Sequence, residues 1–248
     1  MTENYSIPKD LRVYAIGDVH GHLDALKAMH DLISDDLLKS PVENAHIVYL
    51  GDYIDRGPDS RGVIEYLIER QGRGDGVAKT FLMGNHEVAG FEEFMKDPVG
   101  HDWLRYGGLT TLASYGITFE NERPLPAEVE ALPERMRAMI PEAHFAFYRG
   151  LELSVEIGGY VFVHAGIDPM RPMEEQTRKE FTRMRQPFLS WHEHPEYTPL
   201  SKRVVHGHTI TPEVEVLPHR INVDTGLYDG GALTAGVFEG QAVRFLQV

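Results

Sequence analysis

The 248-residue chain has no cysteine, which removes disulfides, thiolate metal ligands, a cysteine nucleophile and iron–sulfur clusters at once. Any metal it binds must be held by nitrogen and oxygen. Positive charge is scarce as well: 24 Lys and Arg face 38 Asp and Glu, a formal charge of −14. That balance repels phosphate backbones and anionic lipid, so neither nucleic acid nor a membrane is expected as a partner. Apolar runs are short, none approaching the roughly 18 residues of a membrane span. Met1 to Asp10 lacks the basic stretch and apolar core of a secretory leader, and the chain is expected in the cytoplasm. Linkers, repeats and low-complexity tracts are absent too. What remains, 42% hydrophobic and 25% charged residues, is a globular composition large enough for one core, and a single domain over 1–248 is expected.

Short apolar runs recur, and nearly every one ends in Gly, Asp, His or Asn: Arg12 to Ile16, His46 to Leu50, Thr80 to Met83, Tyr160 to Val163, Arg203 to Val205 and Arg220 to Val223. These read as buried strands. Between the early ones, Leu23 to Leu38 and Arg61 to Arg70 carry helical spacing, so the chain begins β-α-β-α-β. Gly158-Gly159 and Glu239-Gly240 each separate two strand-like runs and predict hairpins. The expected fold is α/β, a mixed-sheet β-sandwich with flanking helices. Phe91 to Gly150 breaks the pattern with helical spacing, Pro124, Pro126, Pro133 and Pro141, and the aromatics Trp103, Tyr106 and Tyr115. It reads as a helical insertion or lid at about 91–150 within the one domain. At helical spacing those aromatics are expected to pack against its own core.

In open α/β sheets ligands bind beyond the carboxyl ends of the strands, so polar residues directly after apolar runs are candidates for one shared site. Asp18 and His20, two apart in Gly17-Asp18-Val19-His20-Gly21, project to one side of an extended backbone. Gly51-Asp52-Tyr53-Ile54-Asp55-Arg56-Gly57 repeats the pattern with two aspartates and an arginine, and Gly84-Asn85-His86-Glu87 adds an amide and an imidazole. His164 closes another run; His206 and His208 flank Gly207, and spacing alone does not choose between them. Singly, each is as well explained by a turn, a helix cap or a structural histidine. Jointly they put hard and borderline metal ligands at five strand ends, the donor set of two divalent ions that activate water for attack on phosphorus.

Asp-x-His, Gly-Asp-x-x-Asp-Arg-Gly, Gly-Asn-His-Glu, His-Ala-Gly and Gly-His-Thr, in this order, resemble the calcineurin-like metallophosphoesterases, specifically the bacterial and phage type of phosphoprotein phosphatase. The resemblance spans Arg12 to Val248 and includes the later run Asp224-Thr225-Gly226-Leu227-Tyr228. It implies Asp18, His20 and Asp52 on a first metal, and Asp52, Asn85, His164 and His208 on a second, with Asp52 bridging. It further implies His86 as general acid, Asp55 as the carboxylate that orients it, and Arg56 as a grip on the phosphoryl group, where a planar fork suits better than lysine. A second phosphate-binding arginine falls at Arg185 in Phe181 to Leu189, where the family's tryptophan is replaced by Arg183. Many nuclease branches read Gly-His-x-His; Gly207-His208-Thr209-Ile210 lacks the second histidine, which argues against them and leaves His206 in a supporting role.

The expected activity is hydrolysis of phosphomonoesters, foremost protein phosphoserine and phosphothreonine, by direct attack of metal-bound hydroxide. The metals are expected to be two divalent ions, manganese first, with iron and zinc equally suited by the donor set. The partner is then a phosphoprotein or a phosphorylated small molecule. A hydrolase of dinucleoside polyphosphates such as diadenosine tetraphosphate is the alternative within the same chemistry. Phosphopeptides are preferred over it because the 91–150 segment offers few basic residues near its start, chiefly Lys96 and Arg105. A catalytically silent module that binds phosphorylated partners is the second alternative, disfavoured because it has no use for Asp55, Arg56 and His86 together.

Overall fold

The computed structural model describes residues 5–99, 102–121 and 123–248. The chain opens as β1 (Leu11–Ile16), α1 (Leu23–Lys39), β2 (Asn44–Tyr49), α2 (Ser60–Gly72) and β3 (Val77–Phe81), with the three strands parallel. A helical segment follows: α3 (Asn85–Val88), a π-turn over Ala89–Glu93, α4 (Phe94–Lys96), α5 (Gly108–Ser114), α6 (Pro126–Met139) and α7 (Glu142–Arg149). Then come β4 (Ser154–Ile157), β5 (Tyr160–Val163), α8 (Arg178–Arg183), β6 (Arg203–His206), β7 (Glu215–Val216), β8 (Arg220–Asn222), β9 (Thr234–Glu239) and β10 (Ala242–Gln247). They form two five-stranded mixed sheets, ordered β10-β9-β1-β2-β3 and β4-β5-β6-β8-β7. Both expected hairpins are present, β4–β5 and β9–β10.

The continuous apolar runs are explained by burial on both faces. In β1, Val13 and Ala15 pack with Val48, Phe162, Val205 and Ile221 between the sheets, while Tyr14 and Ile16 face the helices beside Leu26, Met29 and Val63. A strand buried twice over has no need of alternation. α1 and α2 bury the stripes Leu26, Met29, Ile33 and Val63, Ile64, Leu67, and α2 starts where Asp59 accepts the Gly62 N–H at 2.8 Å. The expectation for β3 is displaced by about three residues. Its first half, Val77-Ala78-Lys79, is only partly buried, and beyond its end Leu82 donates to Tyr49 O of β2 while Leu82-Met83 also pairs with Glu152.

In the helical segment, Pro126 starts α6 and Pro141 precedes α7, positions where a missing N–H costs nothing. Trp103 and Tyr115 are buried, and only Tyr106 of the three aromatics is exposed. No described helix is long and apolar enough to cross a membrane.

Candidate metal centre and its surroundings

The carboxyl ends of β1, β2, β3, β6 and β8 deliver their following residues to one cleft of about 510 Å³, lined by Asp18, His20, Asp52, Arg56, Asn85 and His86, among others, and His164 after β5 lies buried against Asp52. The turns that do so are strained. Among the described non-glycine residues, positive φ occurs at His20 (43°), Asp52 (50°), Asp55 (73°), Arg56 (66°) and His208 (64°), all in the expected site, and otherwise only at Asp10. Left-handed backbone at such residues persists where the surroundings hold it. Here Glu87 is the tie: its carboxylate accepts N–H bonds from Gly84, Asp52 and Tyr53 at 2.8–3.0 Å, joining the turn after β3 to the turn after β2. The turns touch so closely that a Cβ on Gly84 would lie 2.1 Å from Asp52 Oδ1.

Asp52 is the centre. His20 and His164 point Nε2 at its Oδ2 from 3.6 and 3.5 Å, too far for hydrogen bonds and suited to a cation between them, and His86 Nε2 stands 3.9 Å from the same oxygen. The Nδ1 of His20 lies 2.8 Å from Ile54 O, and that of His164 lies 2.9 Å from Leu50 O. A carbonyl only accepts, so each Nδ1 carries the proton and each neutral Nε2 presents a lone pair inward. His164 Nε2 then faces Asn85 Oδ1 at 2.9 Å, two lone pairs converging as on the edge of a coordination sphere. The donor atoms fall into two groups sharing Asp52: His20, Asp52 and His86, and Asp52, His164 and His208. Asp18 lines the cleft but stands outside both groups, its carboxylate accepting the His208 N–H at 3.1 and 3.2 Å. The donors fit two divalent ions in type, tautomer and shared carboxylate.

Electrostatics separates the histidines. Burial pushes His20 down to about 3 and His208 down to about 2, and lowers His164, leaving neutral imidazoles that can ligate. His86 is as buried, yet Asp52 and then Asp55 overcome desolvation and raise it to about 9. Its Nδ1 meets Asp55 Oδ2 at 2.6 Å, a carboxylate where its neighbours meet carbonyls. Burial, Asp224 and Asp52 raise Asp18 well above the carboxylate range, and burial with Asp52 brings Asp224 up to about 6. Carboxylates crowded so closely call for positive charge among them.

Arg56, Arg183 and Arg185 all line the cleft. Arg56 lies 5.0 Å from the Tyr228 ring centroid, and its buried Nε has no hydrogen-bond partner. Arg183 is held by Glu93 at 2.6 Å, whereas Arg185 is close enough to His164 and His208 to disfavour their charged forms. His206 is turned elsewhere, its Nδ1 2.9 Å from Gly207 O and its Nε2 3.3 Å from Arg220. Sequence reasoning gave no role to Asp224, Glu87, Trp103, Thr111 or Tyr228. Asp224 follows the apolar run of β8 as Asp18 follows β1, a signal of the same kind.

The pattern of the calcineurin-like phosphoesterases matches residues 11–231, and the chain belongs to that family of metal-dependent hydrolases of phosphoester bonds. Among curated relatives, the bis(5'-nucleosyl)-tetraphosphatase PrpE [asymmetrical] of Geobacillus thermodenitrificans is 26% identical over 245 residues, 91% of this chain and 89% of its own. Two solved structures share the fold. A putative diadenosine tetraphosphatase superposes with a TM-score of 0.61 at 22% identity over 95% of this chain and 93% of its own. The cold-active protein-tyrosine phosphatase of a psychrophile, Shewanella sp., superposes with 0.60 at 18% over 98% and 83%.

Proposed function

We propose that the chain is a two-metal hydrolase of dinucleoside polyphosphates, with the helical segment between β3 and β4 as a lid over one side of the cleft. The reading rests on three guanidinium groups: Arg56, Arg183 and Arg185 line the same cleft as the carboxylates of Asp18, Asp52, Asp102 and Asp224, in a chain of net charge −14. A single phosphoryl group occupies one or two guanidinium forks, and a chain of phosphates uses all three. Arg183 and Arg185 arrive from α8 and the turn after it, outside the 91–150 segment whose few basic residues favoured phosphopeptides. The near full-length likeness to a bis(5'-nucleosyl)-tetraphosphatase supports the same substrate class, and the exposed Tyr106 ring at the cleft offers a face for a nucleobase.

Asp18, His20 and Asp52 would hold one divalent ion, and Asp52, Asn85, His164 and His208 the other. When bound, the ions lower the pKa of a water and offset charge on the phosphoryl oxygens. The protein's own groups do the rest. The Arg56 and Arg185 forks hold the reacting phosphoryl group in line, and Arg183 leaves Glu93 for a neighbouring phosphate. His86 donates its Nε2 proton as the P–O bond breaks; the bonding pair stays with the departing oxygen, and the ring ends neutral, keeping its Nδ1 proton hydrogen-bonded to Asp55 Oδ2.

One observation favours phosphoserine and phosphothreonine as a second reading. A histidine backed by a buried carboxylate, as His86 is by Asp55 at 2.6 Å, is of most use to an alkoxide, whereas a departing nucleotide phosphate, with a pKa of about 6, needs little help. Competition between diadenosine tetraphosphate and a phosphoserine peptide in one metal-replete assay separates them. A kcat/KM ratio of ten or more for the dinucleotide, about 1.4 kcal/mol in transition-state binding, is expected. A tenfold preference for the peptide refutes the proposal and establishes the second reading.

A further inference from the structure

Asp55 is fully buried on a left-handed turn, and its carboxylate is held by three side chains. Oδ2 accepts the His86 Nδ1–H at 2.6 Å and the Trp103 Nε1–H at 2.8 Å, and Oδ1 accepts the Thr111 hydroxyl at 2.6 Å. Trp103 and Thr111 both belong to the segment between β3 and β4, 48 and 56 residues from Asp55. The indole is seated to close tolerance. A Cβ on Gly90 would lie 2.7 Å from the ring and one on Gly108 2.6 Å from it, so the π-turn after α3 and the start of α5 both carry a residue without a side chain where they meet it. Phe94 packs against the ring at 4.9 Å.

We propose that Trp103 is a positioning residue for proton delivery: its indole N–H fixes the Asp55 carboxylate and, through it, the ring plane of His86. The chemistry suits the donor. An indole N–H only donates, so it competes for no proton, and by sharing Oδ2 with His86 it lowers the basicity of that oxygen. The Nδ1 proton therefore stays on His86, and the transferable proton is the one on Nε2, facing the cleft. Seen this way, the inserted segment does more than cover substrate: it completes the acid pair, and its placement sets the rate of leaving-group protonation.

The test compares two esters on the metal-replete protein. Phenyl phosphate has a leaving group of pKa about 10 that needs the proton, as tyrosine's phenol would; para-nitrophenyl phosphate needs it far less. Trp103→Phe, and a variant with β-(3-benzothienyl)alanine at 103, which keeps the indole shape without the N–H, are measured for both. For each variant kcat on phenyl phosphate is expected to fall about tenfold, within the range for groups supporting a site from behind. The loss on the nitrophenyl ester should stay within about twofold, with KM and calorimetric metal affinity near wild type, and the Trp103 change should cost nothing further in an Asp55→Asn background. The isostere keeps the experiment decisive if Trp103→Phe folds poorly. Wild-type rates, equal losses on the two esters, or a parallel loss of metal would each overturn the proposal. It rests on His86 as the proton donor, and the two fail separately: equal losses for His86→Asn overturn both, whereas a selective loss for His86→Asn with none at Trp103 overturns only the positioning role.

Discussion

Stripping the metals with a chelator leaves His86 to titrate against the carboxylates alone, and replacing Asp55 by Asn then removes one of them. In the folded protein burial disfavours the imidazolium, but Asp52 and Asp55 outweigh it and raise His86 from 6.5 to about 9. A displacement of that size corresponds to about 3 kcal/mol of preferential proton binding by the native state. The sign follows from linkage: a raised histidine contributes this stability in full below 6.5, and the contribution is lost as pH rises through about 9. The difference in unfolding free energy between wild type and His86→Asn should therefore shrink by about 3 kcal/mol between pH 6 and pH 10, read from urea melts in chelator. Ring proton resonances should place His86 near 9 in the wild type and at least a full pH unit lower in Asp55→Asn. A wild-type His86 that titrates at or below 6.5, or that ignores Asp55→Asn, refutes the reasoning.

Asp52→Asn should abolish binding of at least one divalent ion, because both ligand groups share this carboxylate; calorimetric titration with manganese checks it, and full occupancy with wild-type turnover contradicts it. Arg56→Lys should weaken inhibition by inorganic phosphate by about tenfold and fail to restore activity, since a point charge does not replace a fork. Arg183→Ala should raise KM for diadenosine tetraphosphate and leave para-nitrophenyl phosphate unchanged, whereas Arg185→Ala should impair both; the reverse pattern exchanges their roles.

Much of the fold is legible because the runs that form β1, β2, β5, β6 and β8 are buried on both faces, and a doubly buried strand shows itself as unbroken hydrophobicity. The polar residues after them mark the cleft jointly: singly an Asp, Asn or His after such a strand is a turn or a cap, but several strand ends carrying them converge on one place. Illegible were contacts made across the chain. Lys79 and Ala78 carry no strand signal, and β3 is set by its ladder to β2. Nothing near Trp103 in the sequence announces that its N–H reaches Asp55, and its burial comes from two glycines that only the fold brings to it. Arg183 looked like a departure from a family pattern. In the fold its partner Glu93, 90 residues away, draws it to the cleft wall.

The account stands on two cations seated around Asp52. Crystals soaked in manganese and measured at its absorption edge should show two anomalous peaks about 3.5–4 Å apart. Asp52 Oδ2 should lie between them, with Asp18 and His20 on one and Asn85, His164 and His208 on the other, and His86 should remain on Asp55. A cleft without anomalous density, or a single ion bound through His86 Nε2, would contradict it.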